Sequence, residues 1–202
     1  MEPRPDEAEL LARAARGDLS AFNSLVEHYQ TPVYNLCLRL LGNPQTAEDT
    51  TQDAFIAAYR RFDSFRGGSF RAWLFRIAAN ACYDELRWRK SRPSTSLDER
   101  QGAGERAFDV ADKAPAPEER AEQSELKDAI EAALRQLPDE QRLAIVLCDA
   151  QGMDYAEIAA VMQCSLGTVK SRIARGRARL RAILLKDAEL LPSRFRPTNE
   201  ET

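Results

Sequence analysis

The chain consists of segments in which apolar residues recur every three or four positions, separated by short polar stretches containing Gly or Pro. This spacing predicts amphipathic α-helices. The first predicted helix begins at Asp6 and stops at Gly17, and a second covers about 19 to 30. Pro32 is predicted to begin a third helix, which Gly42 ends.

Two further helices are predicted before residue 92. Thr46 and Asp49 form a capping pair for a helix extending to about Phe62, and Ser69 caps a long helix to about Lys90. The predicted buried stripe of the first consists of Phe55, Ala58, Tyr59 and Phe62. That of the second consists of Phe70, Trp73, Leu74, Ile77, Ala78 and Ala81.

The helical periodicity stops after Arg92. Residues 93–120 contain three Pro, two Gly and scattered acids, which predicts a flexible, acidic linker between two domains. Periodic apolar residues resume near Glu118, and Pro138 opens a helix that Gly152 closes. We therefore predict an all-α fold with two helical domains, 1–92 and 121–186, followed by a short tail, 187–202.

Residues 154 to 181 have the pattern of a helix-turn-helix. Asp154 and Glu157 predict a capping box for a short helix from Tyr155 to Met162. Gln163, Cys164 and Ser165 supply the turn, and Ser165 caps a longer second helix. At roughly 100° per residue, its predicted inward residues are Leu166, Val169, Ile173, Leu180 and Leu184. Its outward residues are Thr168, Ser171, Arg172, Arg175 and Arg179, with Lys170 on the flank between the two faces.

The charge of the second helix opposes that of the whole chain, whose net charge is −3. No acidic residue occurs from Ser165 to Arg181, whereas the basic residues there are Lys170, Arg172, Arg175, Arg177, Arg179 and Arg181. Such a local reversal indicates a polyanionic partner, and the helical setting indicates duplex DNA. The alternative is a solvated basic face on a structural helix.

Length and composition limit the remaining possibilities. A chain of 202 residues with 44% apolar and 30% charged residues fits one or two helical domains. The sequence has no apolar stretch of roughly 20 residues and no signal-peptide character, so we expect a cytoplasmic location without a membrane span. Four widely spaced cysteines, with one His and no CxxC motif, predict buried reduced thiols and neither metal nor cofactor. They are Cys37, Cys82, Cys148 and Cys164.

Three segments carry a resemblance to a known family. AEDTTQDAFIAAYRRFDSFRG at 47–67 and FRAWLFRIAANACYDELRWRKSR at 70–92 resemble the second region of bacterial RNA polymerase sigma factors of the extracytoplasmic-function group. LPDEQRLAIVLCDAQGMDYAEIAAVMQCSLGTVKSRIARGRARLR at 137–181 resembles their fourth region. The resemblance implies a promoter-specificity subunit, not an enzyme, whose partners are core RNA polymerase, promoter DNA and an inhibitory anti-sigma factor. It implies polymerase contacts with the β′ coiled coil and the β subunit.

The resemblance also implies roles for the basic helix. Lys170, Ser171 and Arg175 match the positions that contact the −35 promoter element. Thr168, Arg172 and Arg179 share the outward face derived from periodicity. Arginine can grip guanine bidentately, whereas lysine and serine can serve base edges or phosphates. Arg177 falls near the inward face, which leaves a phosphate contact or a structural role open.

In the first domain, the resemblance implies contacts with the −10 element. Phe65 and Asn80 match positions that hold a non-template base extruded from the duplex. Trp73 and Leu74 lie where housekeeping relatives carry two adjacent aromatics that wedge into melting DNA, and the single aromatic here implies reliance on stringent promoter sequences. Arg76 and Arg87, with Arg71, Arg89, Lys90 and Arg92, give a mildly basic setting for single-stranded DNA. The alternatives are that Phe65 and Trp73 belong to the core and that Asn80 is a helix-surface amide.

Asp49, Gln52, Asp53 and Ile56 match the family surface that binds the β′ coiled coil. The alternatives for these residues are a solvated helix face or, less favoured, a metal site. The linker is implied to enter the polymerase channels, with acids at Asp98, Glu99, Glu105, Asp109 and Asp112, or it is a passive tether. Two other classes of protein remain open: a repressor or activator that works without polymerase, and a nucleic-acid-processing enzyme.

Overall fold

The computed structural model describes residues 6–91 and 117–186, with side chains in the second range from residue 124. Within these ranges the secondary structure is helical and includes no strand, as predicted. The first domain contains α1 (Glu7–Ala14), α2 (Leu19–Leu41), α3 (Pro44–Arg60), a 3₁₀ turn (Phe62–Ser64) and α4 (Phe70–Ser91). The second contains α5 (Pro117–Arg135), α6 (Asp139–Ile145), a π-helical turn (Val146–Ala150), α7 (Tyr155–Met162) and α8 (Leu166–Lys186). Most of the predicted linker and the whole predicted tail lie outside the described residues.

Helix α2 is one continuous helix, so the prediction that Pro32 begins a new helix was wrong. Proline in a helix interior removes one backbone hydrogen bond, and packing must offset that loss. Tyr29 and Val33, on either side of Pro32, are both buried in the core. The end of α2 was predicted correctly, because Gly42 adopts the left-handed conformation with φ of 70°.

Helix α3 begins earlier and ends earlier than predicted. The Asn43 side chain accepts a hydrogen bond from the Thr46 backbone N–H at 2.9 Å, so Asn43 is the N-cap and Pro44 occupies the first turn. The helix ends at Arg60, and Phe62 is buried from the following 3₁₀ turn. Tyr59 was predicted to be buried, yet 51% of it is exposed.

Helix α4 lies at the centre of the molecule. Its predicted inner residues from Phe70 to Ala78 are buried, and Ala81 is half-buried. The other side of α4 is also buried, at Ala72, Phe75, Ala79 and Cys82. Since α4 packs on α2 and α3 within its own domain and on α7 of the second domain, it is covered from both sides.

The two helical domains pack directly against each other. A contiguous apolar cluster includes Leu36 and Leu74 from the first domain and Leu147, Ile158 and Val161 from the second. This shared cluster excludes water from the contact and contributes to the stability of both domains.

Polar contacts also join the two domains. The buried Arg142 donates to the Leu40 carbonyl at 2.5 Å, and Gln151 Nε2 donates to the Pro32 carbonyl at 3.2 Å. Arg71 donates to the backbone carbonyl of Gln151. At the edge, Ser69 Oγ donates to Glu157 Oε1 at 3.0 Å and Lys90 pairs with Asp139 at 2.9 Å. Side chains of each domain thus form hydrogen bonds or ion pairs with backbone carbonyls or carboxylates of the other domain.

The cysteines divide into two kinds. Cys37 and Cys82 are fully buried in the first domain, and the hydrogen bond between their thiols, together with burial, raises the pKa of Cys82. Cys148 and Cys164 are half-buried, so the prediction of buried thiols holds only for the first pair. All four are free thiols. No helix in residues 6–91 or 117–186 combines the length and apolar character needed to cross a membrane.

Candidate nucleic-acid interface

The helix-turn-helix prediction is confirmed, together with its caps. Asp154 Oδ1 accepts from the Glu157 backbone N–H at 2.8 Å, and Glu157 Oε2 accepts from the Asp154 N–H at 3.3 Å. Gln163 takes a left-handed conformation with φ of 50°, which turns the chain after α7. Ser165 Oγ then accepts from the Thr168 N–H at 3.1 Å and caps α8.

The outward face of α8 carries most of the predicted −35 residues. Lys170, Arg175 and Arg179 are exposed, whereas Thr168 and Ser171 are half-buried. Arg175 Nη2 donates to Ser171 Oγ at 3.1 Å, and Ser171 Oγ donates to the Thr168 carbonyl at 3.0 Å. The side chains of Arg175 and Ser171 are therefore connected to each other and to the Thr168 backbone along the helix.

Two arginines of α8 are engaged within the second domain. Arg172 was predicted to face outward, yet only 17% of its side chain is exposed and it pairs with Glu140 at 2.6 Å. Arg177 pairs with both carboxylate oxygens of Asp149, with Nε 3.0 Å from Oδ2. This geometry supports a structural role for Arg177, which was one of the two roles considered for it. The ion pair of Arg172 supports a structural role for that residue as well.

The inward face of α8 is formed by Val169, Ile173 and Gly176, with Leu180 and Leu184 half-buried. Leu166 was predicted to be inward, but 51% of it is exposed. It is the first residue of α8, so no preceding turn of the same helix covers it.

The predicted −10 residues do not share one pocket in this structure. Phe65 is half-buried, and its ring centroid lies 5.6 Å from that of Phe70 and 5.5 Å from that of Trp73. Trp73 is only 8% exposed and belongs to the aromatic core, which was one of the two roles considered for it. Asn80 is exposed on α4.

A cavity of about 480 Å³ adjoins Phe65. Its walls come from α1, from the 3₁₀ turn and from the loop before α4, and they include no atom of Asn80. The lining residues are Leu11, Ala12, Ala15, Phe62, Asp63, Phe65, Arg66 and Gly67. The cavity thus combines an aromatic wall with a carboxylate and a guanidinium.

Several basic residues near α4 already have partners. Arg71 lies 5.6 Å above the Phe75 ring and reaches the second domain, as Lys90 does. Arg87 pairs with Asp84 while remaining exposed, and Arg89 pairs with Glu85 at 2.8 Å. Arg76 is half-buried. The predicted setting for single-stranded DNA is therefore partly occupied by contacts within the protein.

The predicted polymerase face lies on α3. Asp49, Gln52, Asp53 and Ile56 are all exposed, and they follow one another at helical spacing along one side. Among the described residues, no group of three or more His, Cys, Asp or Glu side chains could hold a metal ion.

Comparisons with known proteins agree with the order of these elements. The model of Sigma-70 region 2 matches residues 25–92, and that of Sigma-70 region 4 matches residues 127–180. The RNA polymerase sigma-H factor of Pseudomonas aeruginosa is 40% identical over 182 residues, which cover 88% of this chain and 93% of that protein. The extracytoplasmic-function sigma-E factor of Escherichia coli is 39% identical over 170 residues, covering 83% and 88% respectively.

Two solved structures are similar over most of their length. CnrH in complex with the cytosolic domain of CnrY matches with a TM-score of 0.64 and 31% identity, covering 91% of this chain and 98% of that one. The sigma factor RpoE of Bartonella quintana, in complex with the anti-sigma factor NepR, matches with a TM-score of 0.63 and 28% identity. That match covers 82% of this chain and 98% of that one.

A helical region-2 domain followed by a helix-turn-helix region-4 domain defines a sigma-70-type transcription initiation factor. The chain belongs to the extracytoplasmic-function sigma factors of this family. It therefore directs transcription initiation with core RNA polymerase and is not itself an enzyme.

Proposed function

We propose that this sigma factor reads the −35 promoter element with the outward face of α8. The observation that carries the proposal is the exposed basic surface of Lys170, Arg175 and Arg179 on a capped helix-turn-helix, in a chain of net charge −3. A recognition helix of this kind fits the major groove, where arginine can donate twice to guanine. Thr168 and Ser171 line the same face. Arg172 contributes by holding α8 to α6 through its ion pair with Glu140.

The first domain contacts the −10 element and captures a base of the opened non-template strand. Phe65 supplies an aromatic surface beside the 480 Å³ cavity, and Asn80 supplies an amide that can both donate and accept at a base edge. Trp73 holds Phe65 by ring contact within the core. Arg76 and Arg87 provide positive charge along α4.

Polymerase binds the exposed side of α3 through Asp49, Gln52, Asp53 and Ile56. Carboxylates one turn apart can pair with basic residues of a helical partner such as the β′ coiled coil. The second domain contacts the β subunit. An anti-sigma factor is a further partner, since the similar sigma factor RpoE of Bartonella quintana is in complex with the anti-sigma factor NepR. We expect a protein with these partners to act in the cytoplasm.

A reconstituted transcription assay tests the whole proposal. The purified chain and core polymerase are supplied with a promoter selected by that holoenzyme, and transcripts are measured. We expect initiation that requires both the −35 and the −10 element. Tight promoter binding without polymerase binding or initiation would instead identify a repressor or activator.

The −10 assignment has its own test. Asn80→Ala should impair strand opening, measured by permanganate reactivity of unpaired thymines, while core binding is retained. Gln30→Ala removes an exposed amide from α2 and serves as the control. Normal strand opening by Asn80→Ala would exclude Asn80 from base capture.

A further inference from the structure

One residue of the second domain, Gln151, is hydrogen-bonded to two helices of the first domain. Its side-chain Nε2 donates to the Pro32 carbonyl of α2 at 3.2 Å. Its backbone carbonyl accepts from the Arg71 guanidinium of α4. That guanidinium also lies 5.6 Å from the centre of the Phe75 ring, a contact that favours this position. We call the group formed by Gln151, Pro32 and Arg71 the Gln151 clasp.

The turn that carries Gln151 is fixed within its own domain. Gln151 follows the π-helical turn Val146–Ala150, and the next residue, Gly152, is left-handed with φ of 63°. The backbone N–H groups of Gln151, Gly152 and Met153 donate to carbonyls of the π-helical turn at 3.0 to 3.2 Å. Turns of this kind are rare and are frequent at functional positions. Because these bonds lie within the second domain, the turn should keep its shape when the domains separate.

Two other polar contacts between the domains are less suited to act as a lock. The pair of Lys90 and Asp139 lies at an exposed edge, where ion pairs contribute little. Arg142 donates to the Leu40 carbonyl of the first domain, but it also donates to two carbonyls of its own domain and so supports the fold of that domain. Both bonds of Gln151 in the clasp lead to the first domain. Breaking them therefore weakens the domain contact alone.

The packed arrangement is too small to contact both promoter elements. Positions −35 and −10 are about 25 base pairs apart, which corresponds to about 85 Å of duplex at about 3.4 Å per pair. A compact chain of 202 residues has a radius of gyration of only about 17 Å. The proposed function therefore requires the domains to separate. Separation breaks the clasp and frees the Arg71 guanidinium.

We propose that the Gln151 clasp is an internal lock, which holds the free factor in the packed form and lets core polymerase engage both domains only in chains where the lock is open. This inference rests on the proposed function, because a factor that contacts two distant elements needs its domains apart. A lock of this kind lowers the apparent affinity for polymerase in proportion to the open fraction. It also couples opening to the release of Arg71 into the basic setting along α4.

Single-molecule energy transfer in the free, full-length chain measures the state of the lock. Asn23→Cys and Ala182→Cys, at one exposed position in each domain, carry the dyes, and the two half-buried cysteines are replaced by serine. Gln151→Leu keeps the size of the side chain but cannot donate to the α2 carbonyl. We expect it to raise the ratio of open to packed chains about tenfold, as for the loss of one hydrogen bond.

Two further variants control this measurement. Gln136→Leu makes the same change at an exposed glutamine of the second domain and should leave the ratio as in the wild type. Gln151→Glu replaces the donor with a carboxylate that repels the Pro32 carbonyl, so it should open the chain at least as far as Gln151→Leu. Circular dichroism of each variant checks that the helices are retained.

The dissociation constant for core polymerase tests the consequence of the lock. We expect Gln151→Leu to bind up to about tenfold more tightly than the wild type, and Gln136→Leu to bind like it. A wild type that is already mostly open, or an unchanged ratio in both Gln151 variants, would overturn the lock. A raised ratio without tighter polymerase binding would overturn its inhibitory role. Opening and tighter binding as expected, with no initiation by any variant at any promoter, would support the lock and refute the proposed function.

Discussion

Three arginines spaced along α8 have different surroundings, and their expected roles differ accordingly. Arg175 is exposed and hydrogen-bonds to Ser171 on its own helix, which leaves its guanidinium facing solvent. Arg172 and Arg177 are held by Glu140 and Asp149. Charge alone therefore does not decide which residue reads DNA.

Arg175→Ala should reduce promoter use through the −35 element by about 1–3 kcal/mol if its guanidinium reads a base edge. The measurement is holoenzyme binding to promoters with intact and altered −35 bases. Arg177→Ala, which removes a charge from the same helix, should lower stability while leaving discrimination between the two promoters unchanged. Equal discrimination by wild type and Arg175→Ala would contradict base reading.

The Arg177–Asp149 pair should make stability depend on pH. Hydrogen bonds from Arg177 lower the pKa of the Asp149 carboxyl below its ordinary value of 3.8. A carboxyl with a lowered pKa stabilises the folded state above the unfolded pKa, and that contribution is lost as pH falls through the folded pKa. Asp149→Asn should therefore be less stable than wild type at about pH 7, and the difference should shrink in acid below the ordinary pKa.

Urea unfolding across that pH range measures the effect. Asp84→Asn is the matched control, because its partner Arg87 and the carboxylate itself are both largely exposed. Such a surface pair contributes little to stability. A constant difference between Asp149→Asn and wild type at all pH values would show that the ion pair is not its cause.

At the scale of elements, a glycine sets the close approach of α6 and α8. A Cβ at Gly176 would lie 2.7 Å from Ile145 Cδ1 and 3.4 Å from Gln141 Cβ. Ile145 is buried, so its side chain has little room to move away. The orientation of the recognition helix on its domain therefore depends on a residue without a side chain.

Gly176→Ala should lower the free energy of unfolding by about 1–2 kcal/mol, because the overpacking cost exceeds the gain in helix propensity. Adding Ile145→Val removes Cδ1 and should recover most of that loss relative to Ile145→Val alone. Gly167→Ala is the control on the same helix, since its Cβ would meet Ser165 Oγ at an ordinary 3.8 Å. It should leave stability unchanged or raise it, and a stabilising Gly176→Ala would refute the close-contact argument.

At the scale of the whole molecule, the second domain covers part of the surface that the first would offer to DNA. Helix α7 packs on α4. Arg71 donates to the Gln151 carbonyl, and Lys90 forms an ion pair with Asp139. These side chains cannot bind the second domain and DNA phosphates at the same time. Use of the −10 surface is therefore expected to require separation of the domains.

A reversible cross-link tests this expectation. Ser69→Cys and Glu157→Cys replace two side chains that hydrogen-bond across the interface, in a background where Cys148 and Cys164 are serine. A short bis-methanethiosulfonate reagent should join them and stop initiation, and a reducing agent should restore it. Each single cysteine variant, treated in the same way, should stay active. Full activity of the cross-linked chain would show that the packed arrangement can open promoters.

Helix boundaries in the helix-turn-helix were predictable from sequence because local chemistry determines them. Asp154, Glu157 and Ser165 cap backbone groups only three residues away. The same logic failed at Pro32, where burial of Tyr29 and Val33 offsets a local helix-breaking preference. Local signals were therefore sufficient only where tertiary packing did not oppose them.

The candidate site was predictable to a similar extent. The exposed acids of α3 and the exposed Lys170, Arg175 and Arg179 followed from spacing and charge. Tyr59 was predicted to be buried because it shares helical spacing with Phe55 and Phe62. Only the position of Phe22, against which Tyr59 packs, shows which way that ring faces.

The sequence by itself determined the helical class, the two-domain order, the helix-turn-helix and its basic face, because each depends on contacts or periodicity within a few turns of chain. The tertiary structure decided that α4 is covered on both sides, that Arg172 and Arg177 pair with acids, and that Tyr59 is exposed. These outcomes depend on residues far apart in the chain. Spacing along one helix gives the directions of its side chains, but only packing determines which directions meet another helix and which meet solvent.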